Sequence, residues 1–153
     1  MKITKAETAG FCFGVNRAVN MVYDLLDSGK RVCTLGPIIH NPQLVAEVEG
    51  RGVRIVSSPE EVKEGETLVI RSHGVEKSVY DDACNLGVDV ADATCPFVAK
   101  IHKIVAENSA KGAVTIIAGD RDHQEVKGII GHCLGEYFVV ASEEEMDVIL
   151  ENE

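Results

Sequence analysis

The sequence predicts an α/β fold built on parallel sheets, and three observations carry that prediction. Short runs dense in Val, Ile and Leu alternate with segments of helical period, the pattern of strand–helix–strand units. Aromatic residues are scarce, with no Trp, 3 Tyr and 4 Phe, so the core is aliphatic, as suits strands buried on both faces. Of the 153 residues, 45% are hydrophobic, enough for a core in one domain or two small lobes.

The elements follow in order. Lys2–Ala6 reads as a first strand. Gly14–Leu26 reads as a helix, with Val15, Ala18, Val19, Val22, Leu25 and Leu26 on one face and Gly29 as its stop. Arg31–Leu35 is the next strand. Asn41 then caps a helix that starts with Pro42 and closes at Gly50. Val53–Val56 and Thr67–Arg71 are strands, separated by the capping box Ser58-Pro59-Glu60-Glu61. Helix Val75–Leu86, strand Asp89–Asp92, helix Pro96–Lys111 and strands Ala113–Ala118 and Tyr137–Ala141 complete the alternation. Ser142-Glu143-Glu144-Glu145 is a second capping box, opening an acidic, solvated helix. No long linker or low-complexity tract interrupts the chain, and a lobe boundary is expected near Thr94–Pro96.

Charge narrows the function. A formal net charge of −10 argues against nucleic acid and anionic membrane surfaces as partners, because both need a basic footprint. No apolar run is long enough to span a membrane. Met1-Lys2-Ile3-Thr4-Lys5 is too polar for a signal peptide, so the expected compartment is the cytoplasm. The 5 Cys are an odd number with no Cys-x-x-Cys pair, which favours reduced thiols or metal ligands over a disulfide framework.

Reactive side chains concentrate just past the strands. His40 follows one, His73 a second, Cys95 a third, and His123 with Glu125 a fourth; Cys12 lies just before the first helix. In open α/β sheets ligands bind beyond the carboxyl ends of the strands, so residues far apart in sequence can converge there. Each also sits near an expected helix N-terminus, whose free N–H groups favour anions and thiolates. An acidic chain can thereby bind an anion without many Lys or Arg. Cys33, Cys84 and Cys133 read instead as core, His102 as surface or satisfied core, and His132 as a helix cap. Gly10, Gly14, Gly36, Gly74 and Gly119 read as turn residues.

Together these loops resemble the IspH/LytB family. Gly10-Phe11-Cys12-Phe13-Gly14-Val15 resembles its first cluster-cysteine motif, and Asp92-Ala93-Thr94-Cys95-Pro96 the second. Gly36-Pro37-Ile38-Ile39-His40-Asn41 and Ser72-His73-Gly74-Val75 resemble its first two histidine loops. His123-Gln124-Glu125-Val126 resembles the His-Pro-Glu-Val motif, with Gln124 in place of the family's proline and a modest change in loop stiffness expected. The resemblance implies reduction of 4-hydroxy-3-methylbut-2-enyl diphosphate at a [4Fe–4S] cluster, fed by ferredoxin or flavodoxin. Cys12 and Cys95 would be cluster thiolates, His40, His73 and His123 substrate contacts, and Glu125 the proton donor.

The same resemblance implies a trefoil of parallel-sheet lobes. Residues 1–13 would form an N-terminal strand and the first cysteine loop, 14–95 the first lobe, and 96–153 a second, truncated lobe. The third lobe and third cluster cysteine would be absent, and the chain alone inactive. Two other readings stand beside this one: a zinc module, since Cys and His are also zinc ligands, and a cluster-free domain that binds a phosphorylated ligand.

Overall fold

A computed structural model describes residues 1–152. The chain runs α1 (Phe13–Asp27), β1 (Arg31–Leu35), α2 (Pro42–Gly50), β2 (Arg54–Val56), a 3₁₀ turn (Pro59–Glu61), β3 (Glu66–Ile70), α3 (Lys77–Asn85) and β4 (Asp89–Asp92). It continues with α4 (Pro96–Ser109), β5 (Thr115–Ala118), α5 (Gln124–Ile130), β6 (Tyr137–Val140) and α6 (Glu143–Asn152). All strand pairs are parallel, as the alternation predicts. β1 to β4 form one sheet in the order β2-β1-β3-β4, and β5 pairs with β6 in a second.

The strand period of two divides the larger sheet between two cores. Val32 and Val69 face Ala18, Val19 and Val22 of α1 and Val48 of α2. Their neighbours Cys33, Leu68 and Ile70 point the other way, onto Val75 and the half-buried Val79 and Tyr80. Leu68, Val69 and Ile70 are all fully buried, which is why β3 reads as a continuous apolar run. At the other end of β3, Glu66 enters the buried layer only with partners. Arg54 donates to it through Nε at 2.9 Å and Nη2 at 3.0 Å, and the Lys63 amide at 2.9 Å. Those donors, led by Arg54, hold its carboxyl down at about 2.

Capping chemistry explains several boundaries. Asn41 accepts the Leu44 amide at 3.0 Å with Pro42 opening α2. Ser142 accepts the Glu145 amide at 3.3 Å while Glu145 reaches back to the Ala141 amide at 2.7 Å. The box at Ser58 yields only a 3₁₀ turn, with no side-chain cap bond from Ser58.

Three expectations need correction. Lys2–Ala6 forms no strand: it is exposed and pairs with neither sheet. With Lys2, Thr4 and Lys5 among its five residues, it offers only Ile3 and Ala6 as apolar surface to anchor it at an edge. The helix expected from Val75 begins at Lys77, because Val75 is drawn into the core beside β3. Cys84 is exposed, not core: α3 buries Ala83, and Cys84 points away from that stripe.

Candidate active site

The chain reverses direction across the sheet between β1 and β3. From β1 it passes through α2 to the outer strand β2, then crosses to the far side of β1 to form β3. The loops leaving β1 and β3 therefore diverge from adjacent strands, the topological switch point where such sheets bind ligands. His40 is on the first loop and His73 on the second, with ring centroids 4.8 Å apart. Both loops need glycine at a left-handed turn: Gly36 has φ +68° and Gly74 φ +69°.

His73 is the more enclosed of the two. Its Nδ1 is buried without a hydrogen-bond partner. Burial holds its pKa below the usual imidazole value, with His40, Arg71 and His123 adding to the effect and the Glu125 carboxylate opposing it. His123 and Glu125 thus lie within electrostatic reach of His73, although they belong to the second sheet's connection. There His123 caps α5, its Nδ1 accepting the Glu125 amide at 3.2 Å, and Glu125 is half-buried in the first turn.

The two cysteines occupy equivalent positions. Cys12 is the N-cap residue of α1 and Cys95 that of α4. The start of α1 packs directly on the second thiol: a Cβ added to Gly14 would lie 2.7 Å from Cys95 Sγ. So Gly14 serves a close approach rather than a turn. Arg17, one turn further on, donates from Nη1 to the Thr94 carbonyl and from Nη2 to the Asp92 carbonyl, both at 3.1 Å. Cys95 is fixed to the neighbouring histidine loop by its own amide, which donates to the Ser72 carbonyl at 2.9 Å. Cys12 is exposed and Cys95 half-buried.

Beneath the His73 loop lies a second pair of rings. His102 of α4 is 5% exposed and stacks on His132 at 4.2 Å. It fills the space under two glycines: a Cβ on Gly74 would meet its Cε1 at 2.7 Å, and one on Gly128 its Nε2 at 3.0 Å. Its Nε2 has no partner, and burial followed by the neighbouring His132 presses its pKa down to about 4. His132 does not cap a helix; its Nε2 lies 3.1 Å from the Val75 carbonyl, tying the end of α5 to the β3–α3 loop.

Sequence reasoning missed Arg17 and Arg71, and read His102 as surface or satisfied core, whereas it is buried with its Nε2 unpartnered. Arg71 stands at the end of the expected strand Thr67–Arg71, where the rule that drew attention to His73 applies equally. Nothing in the sequence marks Arg17 or His102, whose partners are remote.

The sequence matches the LytB protein family over residues 3–153. The chain belongs to that family. LytB proteins are iron–sulfur enzymes. The chain is 48% identical over 149 residues to 4-hydroxy-3-methylbut-2-enyl diphosphate reductase of Thermoanaerobacter sp. (strain X514), covering 95% of this chain and 52% of that protein. The reductase of Geobacter sulfurreducens is 45% identical over 145 residues, covering 95% of this chain and 51% of its own length. Thus the chain spans about half the length of the curated relatives it matches. Solved structures agree on the fold. A structure of (E)-4-hydroxy-3-methyl-but-2-enyl diphosphate reductase superposes with a TM-score of 0.83 at 42% identity, covering 97% of this chain and 54% of that one. The Plasmodium falciparum reductase superposes with a TM-score of 0.86 at 26% identity, covering 92% and 45%. Among the described residues no helix of this LytB chain is long and apolar enough to cross a membrane.

Proposed function

We propose that this chain carries much of the active site of a 4-hydroxy-3-methylbut-2-enyl diphosphate reductase. The reaction breaks the substrate's C–O bond, consumes two electrons and two protons, releases water, and gives isopentenyl and dimethylallyl diphosphate. One observation carries the reading: His40 and His73 meet at the switch point of the larger sheet, with His123 and Glu125 of the second sheet's connection within electrostatic reach of His73, near two helices opened by cysteines. In this reading residues 1–13 bring the first cysteine, 14–95 form one α/β lobe, and 96–153 begin another.

Cys12 and Cys95 fit two positions of a [4Fe–4S] ligand set: both are thiols, and α1 packs through Gly14 onto Cys95 Sγ. Among the described residues no group of three or more His, Cys, Asp or Glu could hold a metal ion by itself, so a third thiolate would come from outside them. When bound, the cluster supplies Lewis acidity and the two electrons, received singly from ferredoxin or flavodoxin.

This chain's own residues bind and protonate. The free N–H groups at the starts of α1 and α4 favour an anion despite the net charge of −10. His40, His73 and His123 hold the diphosphate and orient the allylic end toward the cysteines. Burial, followed by His40, pushes the His73 pKa below the usual imidazole value and so favours its neutral form, which has one N–H and one lone pair. Glu125 hands the proton to the departing hydroxyl, because hydroxide itself leaves poorly.

The test has two arms. Titration of the chain with the substrate, followed by imidazole NMR signals, is expected to move His40, His73 and His123 and to leave His102 in place; unmoved site histidines refute the assignment. Anaerobic reconstitution with iron and sulfide is expected to give an absorption band near ~400 nm that Cys12→Ala and Cys95→Ala each abolish. Substrate binding without that band favours a cluster-free phosphate-binding module.

A further inference from the structure

Arg71 touches every histidine loop of the site, although neither the chemistry above nor the motifs require it. It closes its own loop: its carbonyl accepts the Gly74 amide at 3.0 Å, forming the turn that carries His73. Its guanidinium lies over the loop that carries His40, where a Cβ on Gly36 would meet Nη1 at 2.8 Å. Its Nη2 donates to Gln124 Oε1 at 2.6 Å, across 53 residues, at the first position of α5 between His123 and Glu125. The first contact is made by the backbone; the other two come from one planar guanidinium, whose Nη1 packs on Gly36 while Nη2 bonds Gln124, a fixed geometry that a lysine could not reproduce. The guanidinium is half-buried, with Nε enclosed and without a partner.

We propose that Arg71 is a positioning residue that braces the three histidine loops against one another, and that Gln124 is the acceptor through which it holds the third. Gln124 stands where the family motif has proline. A proline would suit the first helical position of α5 equally well but has no side-chain acceptor. Here the two sheets are therefore tied at the site by a hydrogen bond that the proline form of the motif cannot make. The contacts themselves are independent of the reaction; their role in setting diphosphate geometry rests on the reductase reading.

Gln124→Pro is the discriminating variant, because proline is tolerated at that helical position and the fold should survive. Amide hydrogen exchange on the whole chain reads the brace at Gly36, bonded to the Val56 carbonyl, at Gly74, bonded to Arg71, and at Lys127, bonded to His123. Exchange at Gly36 and Gly74 is expected to quicken roughly tenfold in Gln124→Pro, as for loss of a hydrogen bond to a charged group. Interior β3 amides should stay unchanged. Gln124→Glu keeps an acceptor and is expected to restore protection; Arg71→Lys is expected to behave like the proline variant. Unchanged exchange in Gln124→Pro, or no rescue by Gln124→Glu, overturns the brace. Inorganic diphosphate then reads positioning: several-fold weaker binding by Gln124→Pro than by wild type supports it, and equal affinity with loosened loops overturns it. Failure of the wild-type chain to bind diphosphate, with the exchange result intact, sinks the reductase reading and leaves the brace standing.

Discussion

His102 makes the chain acid-labile in a defined window. The ring is 5% exposed, packed under Gly74 and Gly128 and against His132, and its Nε2 has no partner to share a proton's charge. Its pKa falls from 6.5 to about 4, chiefly through burial, then His132, with Asp92 opposing. The sign follows from proton uptake. Between those values the unfolded chain binds a proton that the folded chain refuses, so stability falls as pH drops below 6.5 and the loss is complete below the folded pKa. The full loss is about 3 kcal/mol, and roughly 2 kcal/mol is already gone by pH 5. Urea unfolding of wild type and His102→Gln from pH 7.5 to 5 isolates the effect, because glutamine does not titrate. Wild type should be the more stable form at pH 7.5, and its advantage should shrink by about 2 kcal/mol at pH 5. Parallel stability curves for the two proteins, or an NMR titration of His102 near its ordinary value, would refute the reasoning.

Other expectations follow from the same contacts. Glu66 loses its stabilising charge in a lower window: its carboxyl is held at about 2 by Arg54, so that stability is present above 4.5 and disappears as pH falls toward 2. Glu66→Gln should remove the acid transition between those values and cost about 2–3 kcal/mol at pH 7, read by urea unfolding. Gly14→Ala places a methyl 2.7 Å from Cys95 Sγ and should destabilise by about 1–3 kcal/mol while raising the rate at which Cys95 reacts with a thiol reagent. Among the cysteines, Cys12 and Cys84 should label first and Cys33 last. The first two are exposed, whereas Cys33 is fully buried with its thiol pushed up to about 11 by burial; mass spectrometry of timed alkylation checks the order.

Where the sequence misled, it lacked the partner that decides the matter. Lys2–Ala6 has a β-like composition, but a strand exists only if an edge accepts it, and β2 and β4 hold the edges without it. Cys84 sits within a helical period, yet which residues of α3 are buried depends on where the sheet lies, and Ala83 faces it. His132 looks like a helix cap until the Val75 carbonyl, 57 residues away, is brought within 3.1 Å.

The sequence alone determined the fold class and the position of every candidate side chain just past a strand or at a helix start. Those are local properties: the period of apolar residues, the caps at Asn41 and Ser142, and the glycines at the turns. Tertiary structure decided which loops meet. Nothing local says that β1 and β3 are neighbours, yet only that pairing brings His40 to 4.8 Å from His73. The same holds for Gly14 against Cys95, His102 beneath the His73 loop, and Arg71 reaching Gln124. Such contacts depend on strand order and on how helices cover the sheet, which are set by the packing of the whole chain and not by any one segment of it.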